Sequence, residues 1–238
     1  MAGRIAVRFV LVRPRNSLNI GAAARALSNF GFSDLAAVDP FDQRWREATS
    51  SAIYGDALLR NAPVLTLAEA AADCNLVLGT ASAHNRSFRQ TQITLPALRA
   101  WLRRRLHGGG RIAILFGSEK SGLSNAELDH CNALVRIPTD PDAPSMNLGQ
   151  AVAVTAYELS RAALESSAAE PKEPMLEGRQ VEELVDTGMR AMEKGKVNLH
   201  MSEATRRLKF RRGLMRWRMT RGDAAFMHGL LKRLIQRP

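Results

Sequence analysis

Two cysteines, Cys74 and Cys131, are all that the 238 residues contain. Neither belongs to a C-x-x-C pair or sits beside a histidine at ligand spacing, so a disulfide framework and a zinc site are both unsupported, and a reducing, cytoplasmic setting is expected. Long apolar runs are missing as well. The N-terminal one is broken by Arg8, and no stretch approaches the roughly 18 apolar residues of a membrane span. The sequence therefore predicts no membrane partner and no metal. The common nucleotide-binding glycine signatures are also absent. No G-x-G-x-x-G follows the first apolar stretch, and Gly117 and Gly122, which have P-loop separation, are followed by Leu123-Ser124 instead of Lys-Ser/Thr.

Acidic residues are scarce at one end. From Leu199 to Pro238 there are 11 Lys and Arg against 2 Asp and Glu, whereas the chain up to Ala163 has 18 against 13. The formal charge of +11 thus concentrates in the C-terminal stretch, and such an excess bears on association with polyanions, not on fold. Within it, "RRLKFRRGLMRWRMTR" interleaves arginine with Phe210 and Trp217. That mixture suits phosphate contacts combined with stacking on bases, and it nominates Arg206, Arg207, Arg211 and Arg212 as RNA-facing residues. A solvated helix face is the alternative use of the same charges.

A 45% apolar content is enough for a core in a chain of this length. "IAVRFVLV" reads as a strand, followed by a polar loop and a helix from about Gly21 to Phe30. Strands at "DLAAVD", "NLVLGT", "RIAILFG" and "ALVRIP" alternate with helices at "LTLAEAAADC" and "LPALRAWLRRRL", and "NLGQAVAVTAYELSRAAL" is a helix by its apolar period. Such alternation predicts an α/β fold with a mostly parallel, helix-covered sheet over residues 1–163. A linker is expected over 164–178, and a basic α-helical extension over 179–238 with helices near 179–193, 201–212 and 222–236.

In parallel sheets ligands collect beyond the C-terminal strand ends, and three loops there stand out: "NSLNIGAAAR", "LFGSEKSGLS" and "PDAPSMNLGQA". In the first, Asn19 is a candidate cap, Gly21 would let a ligand approach the helix N-terminus, and Arg25 lies one turn inward. In the second, Glu119 is either a ligand contact between two glycines or a charge serving the helix that begins at "SNAEL". In the third, Ser145 and Asn147 are either caps of the last helix or polar groups aimed into a strand-end pocket.

Taken together, "NIGAAAR", "FGSEKSGL" and "SMNLGQAV", in that order, resemble the motifs of the SPOUT-class RNA ribose 2′-O-methyltransferases over about residues 5–163. "CNLVLGTASAHNRSF" and the helical extension are similar to the TrmJ branch rather than its TrmH relatives. The resemblance implies a trefoil knot threading about residues 139–163, a homodimer, S-adenosylmethionine as cofactor, and RNA as substrate. That RNA would be tRNA at the first nucleotide of the anticodon loop, with ribosomal RNA or non-catalytic RNA binding as alternatives.

By the same resemblance, Arg25, Asn19, Glu119, Ser145 and Asn147 form the catalytic set. The cofactor would lie against Leu78, Gly79, Thr80, Ala81, Ser82, Gly117, Glu119, Gly122, Ile137, Pro138, Thr139, Ser145, Met146 and Asn147. RNA would meet Arg13, Arg15 and Arg86 as well as the four C-terminal arginines. Guanidinium groups in general release a proton only above about pH 12, so Arg25 is better suited to anchoring phosphate and stabilising the attacking oxygen than to acting as base.

Overall fold

The structure is a computed structural model that describes residues 5–81, 90–106, 109–163, 176–217 and 219–236. In chain order it runs β1 (Ile5–Val12), α1 (Ser17–Asn29), β2 (Leu35–Val38), α2 (Asp56–Asn61), α3 (Leu67–Ala71), β3 (Leu76–Thr80), β4 (Thr91–Thr94), α4 (Leu95–Arg103), β5 (Gly110–Phe116), α5 (Asn125–Leu128), β6 (Ala133–Arg136) and α6 (Leu148–Ala163). Three further helices follow: α7 (Gly178–Lys194), α8 (Glu203–Trp217) and α9 (Arg221–Gln236). The linker expected over 164–178 lies mostly outside the described residues.

All six strands are parallel, in the order β2-β1-β5-β3-β6-β4. Strand side chains alternate between faces, so the apolar run from Phe9 to Val12 in β1 feeds two cores at once. Phe9 and Leu11 join Ile112, Ile114, Phe116 and Leu78 in the core beneath α1, α4 and α6, whereas Val10 and Val12 join Ala113, Leu115, Val77 and Leu134 on the other face. Each of the large side chains sealed here is worth roughly 1.5–3 kcal/mol of transfer free energy.

Arg8, the charge that interrupts β1, is neutralised at the edge of the second face. Its Nε lies 3.0 Å from Asp34 and its Nη1 2.7 Å from Asp73, and Arg111 pairs with the same two carboxylates. Both cysteines are free and buried in this second core; burial pushes the Cys74 thiol up to about 12 and raises Cys131 as well. They act as small apolar residues rather than nucleophiles.

The sequence reading missed β4, whose "TQIT" exposes Thr91 and Gln92 and buries Ile93 at the sheet edge. Helices α7, α8 and α9 build a third core from Leu184, Val185, Leu214 and Met219, with Phe210 against Gly188. Of the two aromatics assigned to base stacking, Phe210 is therefore a packing residue, whereas Trp217 is exposed. The module rests directly on the sheet domain. Gly178 N–H donates to Cys74 O at 2.9 Å, and a Cβ on Gly178 would stand 2.3 Å from Ala71 O, a contact only glycine permits.

Candidate active site

The N-terminus of α1 is set by Asn16, not Asn19. Asn16 has extended backbone angles and its Oδ1 accepts from Leu18 N–H at 2.9 Å, so the helix starts at Ser17, four residues earlier than its apolar pattern suggests. Asn19 is thereby moved into the first turn, where its side chain is free for tertiary bonds. Gly21 also serves another purpose than ligand approach. It is buried, and a Cβ there would lie 2.0 Å from Ser51 Oγ and 2.7 Å from Ala48 O. Its missing side chain admits the segment 45–51 against α1.

The positive end of α1 is taken by Glu119. Its Oε2 accepts from Arg15 N–H at 2.9 Å, and its Oε1 accepts from Asn16 N–H at 3.1 Å and from Asn19 Nδ2 at 3.0 Å. Partial burial works to raise its pKa, but donors from Asn19, its own backbone, Arg15 and Asn16 outweigh burial and hold it below its ordinary value.

An ionised carboxylate only accepts, which fixes the next amide: Asn19 turns Nδ2 to Glu119 and leaves Oδ1 to accept from Asn147 Nδ2 at 2.9 Å. Asn147 is fixed in turn, its Oδ1 accepting from Gly149 N–H at 2.9 Å and Gln150 N–H at 3.3 Å. It caps α6, as the cap reading has it, and its amide meets Asn19 in the relay instead of lining the pocket. Three loops, the outer two separated by 128 residues of chain, meet in this one relay.

Beside the relay, past the C-terminal ends of β3, β5 and β6, lies a cavity of about 390 Å³. Its size is within the range of small-molecule sites. Apolar walls come from Phe116, Leu123, Leu128, Val135, Ile137 and Leu148, and polar groups from Thr80, Ser118, Glu119 and Ser145. Gly117 and Gly122 shape its mouth. A Cβ on Gly117 would stand 2.2 Å from Gly122 C, and Gly122, at φ 64°, turns the chain back so that its N–H donates to Ser118 O at 2.7 Å.

Of the residues nominated for the cofactor, Thr80, Ala81, Gly117, Glu119, Gly122, Ile137, Thr139, Ser145 and Met146 line this cavity. Leu78 and Gly79 do not: Leu78 is sealed in the core, and a Cβ on Gly79 would meet Cys131 Sγ at 2.8 Å, because only the last residue of β3 reaches the strand end. Pro138 is exposed and Asn147 faces the relay, so neither forms part of the wall. Ser82 lies outside the described residues. Leu148 and Ala151 of "SMNLGQAV" also line the wall, and so do Leu128 and Val135, apolar residues outside the three motifs that tertiary packing brings there.

Arg25 is exposed on α1, makes no hydrogen bond or ion pair with the described residues, and does not line the cavity. The other nominated arginines are differently placed. Arg13 forks onto Glu127, Nε to Oε1 at 2.8 Å and Nη2 to Oε2 at 3.0 Å. Arg15 is exposed and stacks over Phe41 at 4.4 Å. Arg86 lies outside the described residues.

Each of the four C-terminal arginines has a partner within the protein. Arg206 Nη1 donates to Met201 O at 2.8 Å, Arg207 pairs with Asp186 at 2.7 Å, Arg211 binds Glu182 and His130, and Arg212 binds Asp129. Carboxylates on α7 and beside α5 neutralise Arg207, Arg211 and Arg212, which a charge count along the tail could not reveal. Among the described residues no cluster of three metal-ligating side chains exists, and no helix is long and apolar enough to cross a membrane.

A parallel α/β domain with a strand-end cavity, and a polar relay joining three motif loops beside it, defines a class of site that can be compared with known proteins. Residues 6–157 match the SpoU rRNA Methylase family, and the chain belongs to that family. It is 38% identical over 158 residues to a tRNA (cytidine-2′-O-)-methyltransferase TrmJ of Methanocaldococcus jannaschii, a match covering 65% of this chain and 67% of the relative. It is also 38% identical over 157 residues to a tRNA (cytidine/uridine/adenosine-2′-O-)-methyltransferase TrmJ of Pseudomonas aeruginosa, covering 66% of this chain but only 61% of that protein. The crystal structure of TrmJ from Z. mobilis ZM4 superposes with a TM-score of 0.80 at 28% identity, over 98% of this chain and 99% of that one. The helical module is therefore part of a shared architecture.

Proposed function

We propose that the protein transfers a methyl group from S-adenosylmethionine to a ribose 2′-hydroxyl of RNA, and that its substrate is a tRNA at the first nucleotide of the anticodon loop. The observation that carries this reading is the Glu119–Asn19–Asn147 relay, which ties the three motif loops together at the rim of the cavity. The names of the TrmJ relatives support tRNA over ribosomal RNA.

The cavity fits the cofactor. Its apolar walls suit an adenine, the backbone around Gly117 can be approached closely because no Cβ intervenes, and the hydroxyls of Thr80, Ser118 and Ser145 offer partners for a ribose. When bound, the cofactor supplies an already activated methyl group, so the chain's own residues need only align the acceptor and manage its charge. Arg25, exposed and without a partner among the described residues, is free to grip the phosphate beside the target ribose and to stabilise negative charge developing on the 2′-oxygen. Glu119, occupied by backbone and amide donors, orients rather than abstracts. The proton leaves through water or an adjacent phosphate.

A homodimer is part of the same reading. Leu18 on α1 and Val154 and Tyr157 on α6 leave apolar surface exposed on the packed α1–α6 pair that also carries Arg25, and a second copy covering it would complete the active site near the subunit interface. The knot over 139–163 belongs to the reading too, as does a cytoplasmic setting. Besides Arg25, exposed Arg15, Arg103 and Arg104 are among the cations that the sheet domain offers to RNA.

The test is calorimetry with S-adenosylhomocysteine. Saturable one-site binding that is lost on Gly117→Ala supports the reading. Absence of heat at any concentration would leave an RNA-binding protein without cofactor chemistry.

A further inference from the structure

Helix α5 and the turn after it are held from two sides. On the β1 side, Arg13 forks onto Glu127, and its Nη2 also donates to Gly122 O at 3.3 Å. Glu127 is also the capping-box partner of Ser124 at the start of α5, its Oε2 accepting from Ser124 N–H at 2.6 Å. On the other side, two consecutive arginines of α8 reach across from the helical module. Arg212 Nε donates to Asp129 Oδ1 at 2.8 Å and its Nη2 meets the same oxygen, while Arg211 Nη1 lies 3.1 Å from His130 Nδ1 and 3.2 Å from its Nε2, and Arg211 Nη2 binds Glu182 of α7.

These contacts are sheltered. The Asp129 side chain is 12% exposed and Arg211 13%. A guanidinium only donates, so the neutral imidazole is the form that suits this contact, and burial together with the nearby Arg211 charge pushes His130 down to about 4.

The segment so clamped is a wall of the cavity. Leu128, immediately before Asp129, lines it, as do Gly122 and Leu123 just ahead of α5. Within the sheet domain the turn is also tied by Gln90 Nε2, which donates to Leu128 O at 2.9 Å. We propose that the C-terminal helical module shapes the cofactor cavity from behind: Arg212, through Asp129, and Arg211, through His130, are positioning residues that hold Leu128 and the Gly122–Leu123 turn in the ligand-competent place. The module then affects cofactor affinity with no RNA present. By linkage, anything that shifts the module shifts that affinity, and cofactor binding shifts the module by the same factor.

This inference rests on the cavity being the cofactor site, and the experiment separates the two. Binding of S-adenosylhomocysteine to the full chain is measured by calorimetry without RNA, for wild type, Arg212→Gln, Asp129→Asn, the double variant and Arg212→Lys. Wild-type binding is the control; its absence would refute the cofactor reading itself. Given wild-type binding, each single variant should weaken affinity by about tenfold, within the span of ordinary coupling energies. The double variant should be no weaker than the worse single one, because the two residues act through one contact. Arg212→Lys should recover part of the loss.

Asp129→Asn keeps size and shape, so it carries the test even where Arg212→Gln fails to fold. Wild-type affinity in Asp129→Asn, or additive losses in the double variant, would overturn the proposal and reduce the module to a tether.

Discussion

Asn19 and Asn147, 128 residues apart in the chain, are joined by a single hydrogen bond of 2.9 Å from Asn147 Nδ2 to Asn19 Oδ1. The direction of that bond is dictated from Glu119, which can only accept, and it ends on the first N–H groups of α6. Fold and site therefore share one residue, since Asn147 is helix cap and relay member at once.

The two roles come apart on substitution. Asn147→Asp keeps a good capping oxygen but loses the amide donor and sets a second negative charge toward Asn19 and Glu119. Its melting temperature should stay close to wild type while methyl transfer falls by at least about tenfold. Asn147→Ala loses both functions and should also cost roughly 1 kcal/mol of stability. Wild-type activity in Asn147→Asp would show that only the cap matters. Thermal melts and single-turnover transfer rates on the same preparations decide it.

Arg25 has no partner among the described residues to leave behind, so its removal should not disturb the fold. Arg25→Ala is expected to lower methyl transfer by about 100-fold to 1000-fold, the usual loss for one oxyanion donor, with melting temperature and S-adenosylhomocysteine affinity unchanged. Arg25→Lys should also be poor, because an ammonium cannot reproduce a two-pronged contact. A parallel loss of cofactor affinity would place Arg25 in the cavity instead.

The two glycines of the 117–122 turn should respond differently to alanine. At Gly117 the new Cβ would meet backbone at 2.2 Å, with no flexible side chain to yield, and a cost of roughly 3 kcal/mol together with loss of cofactor binding is expected. At Gly122 space is open and only the left-handed φ is strained, which costs roughly 1 kcal/mol. Chemical denaturation of both variants ranks them; equal costs would contradict the packing argument.

Acid should weaken the site through Glu119 and Glu127. Burial acts to raise both, but donors outweigh it: Asn19 and backbone N–H groups at Glu119, Arg13 and Ser124 at Glu127. Both are held below their ordinary values. A carboxylate lowered in the folded state takes up its proton later than in the unfolded chain. Its contribution is therefore full above the ordinary value of about 4.3 and is lost as pH falls through the lower folded value. The stability gap between wild type and Glu119→Gln should accordingly be widest near neutrality and narrow as pH falls below the ordinary carboxylate range. A gap independent of pH would mean that the charge of Glu119 is not what the relay uses.

Most of the sheet was legible in the sequence because β1, β3, β5 and β6 are apolar runs sealed on both faces, a pattern that survives any tertiary context. Edge strand β4 was not, since three of the four residues in "TQIT" are polar. The motif loops were legible as chemistry, and Asn19, Glu119 and Asn147 do meet. Their division of labour was hidden: the cap is Asn16 instead of Asn19, since Asn16 Oδ1 takes the Leu18 N–H while its own N–H meets Glu119.

The surroundings of Arg206, Arg207, Arg211 and Arg212 were the least legible part of the chain. Along the chain they form a basic run without acids nearby, yet in space Glu182, Asp186 and Asp129 stand opposite three of them, and Arg206 turns to a backbone carbonyl. Charge patterning counts neighbours in sequence, and the compensating carboxylates arrive only with folding.

One measurement bears on the whole account: incubation of the protein with a tRNA pool and labelled S-adenosylmethionine, followed by mapping of the label to the nucleotide and atom. Label on a ribose 2′-oxygen of tRNA at the first nucleotide of the anticodon loop, absent with Arg25→Ala, is the predicted result. Label on a base, or no label although S-adenosylhomocysteine binds and the tRNA is engaged, would contradict it.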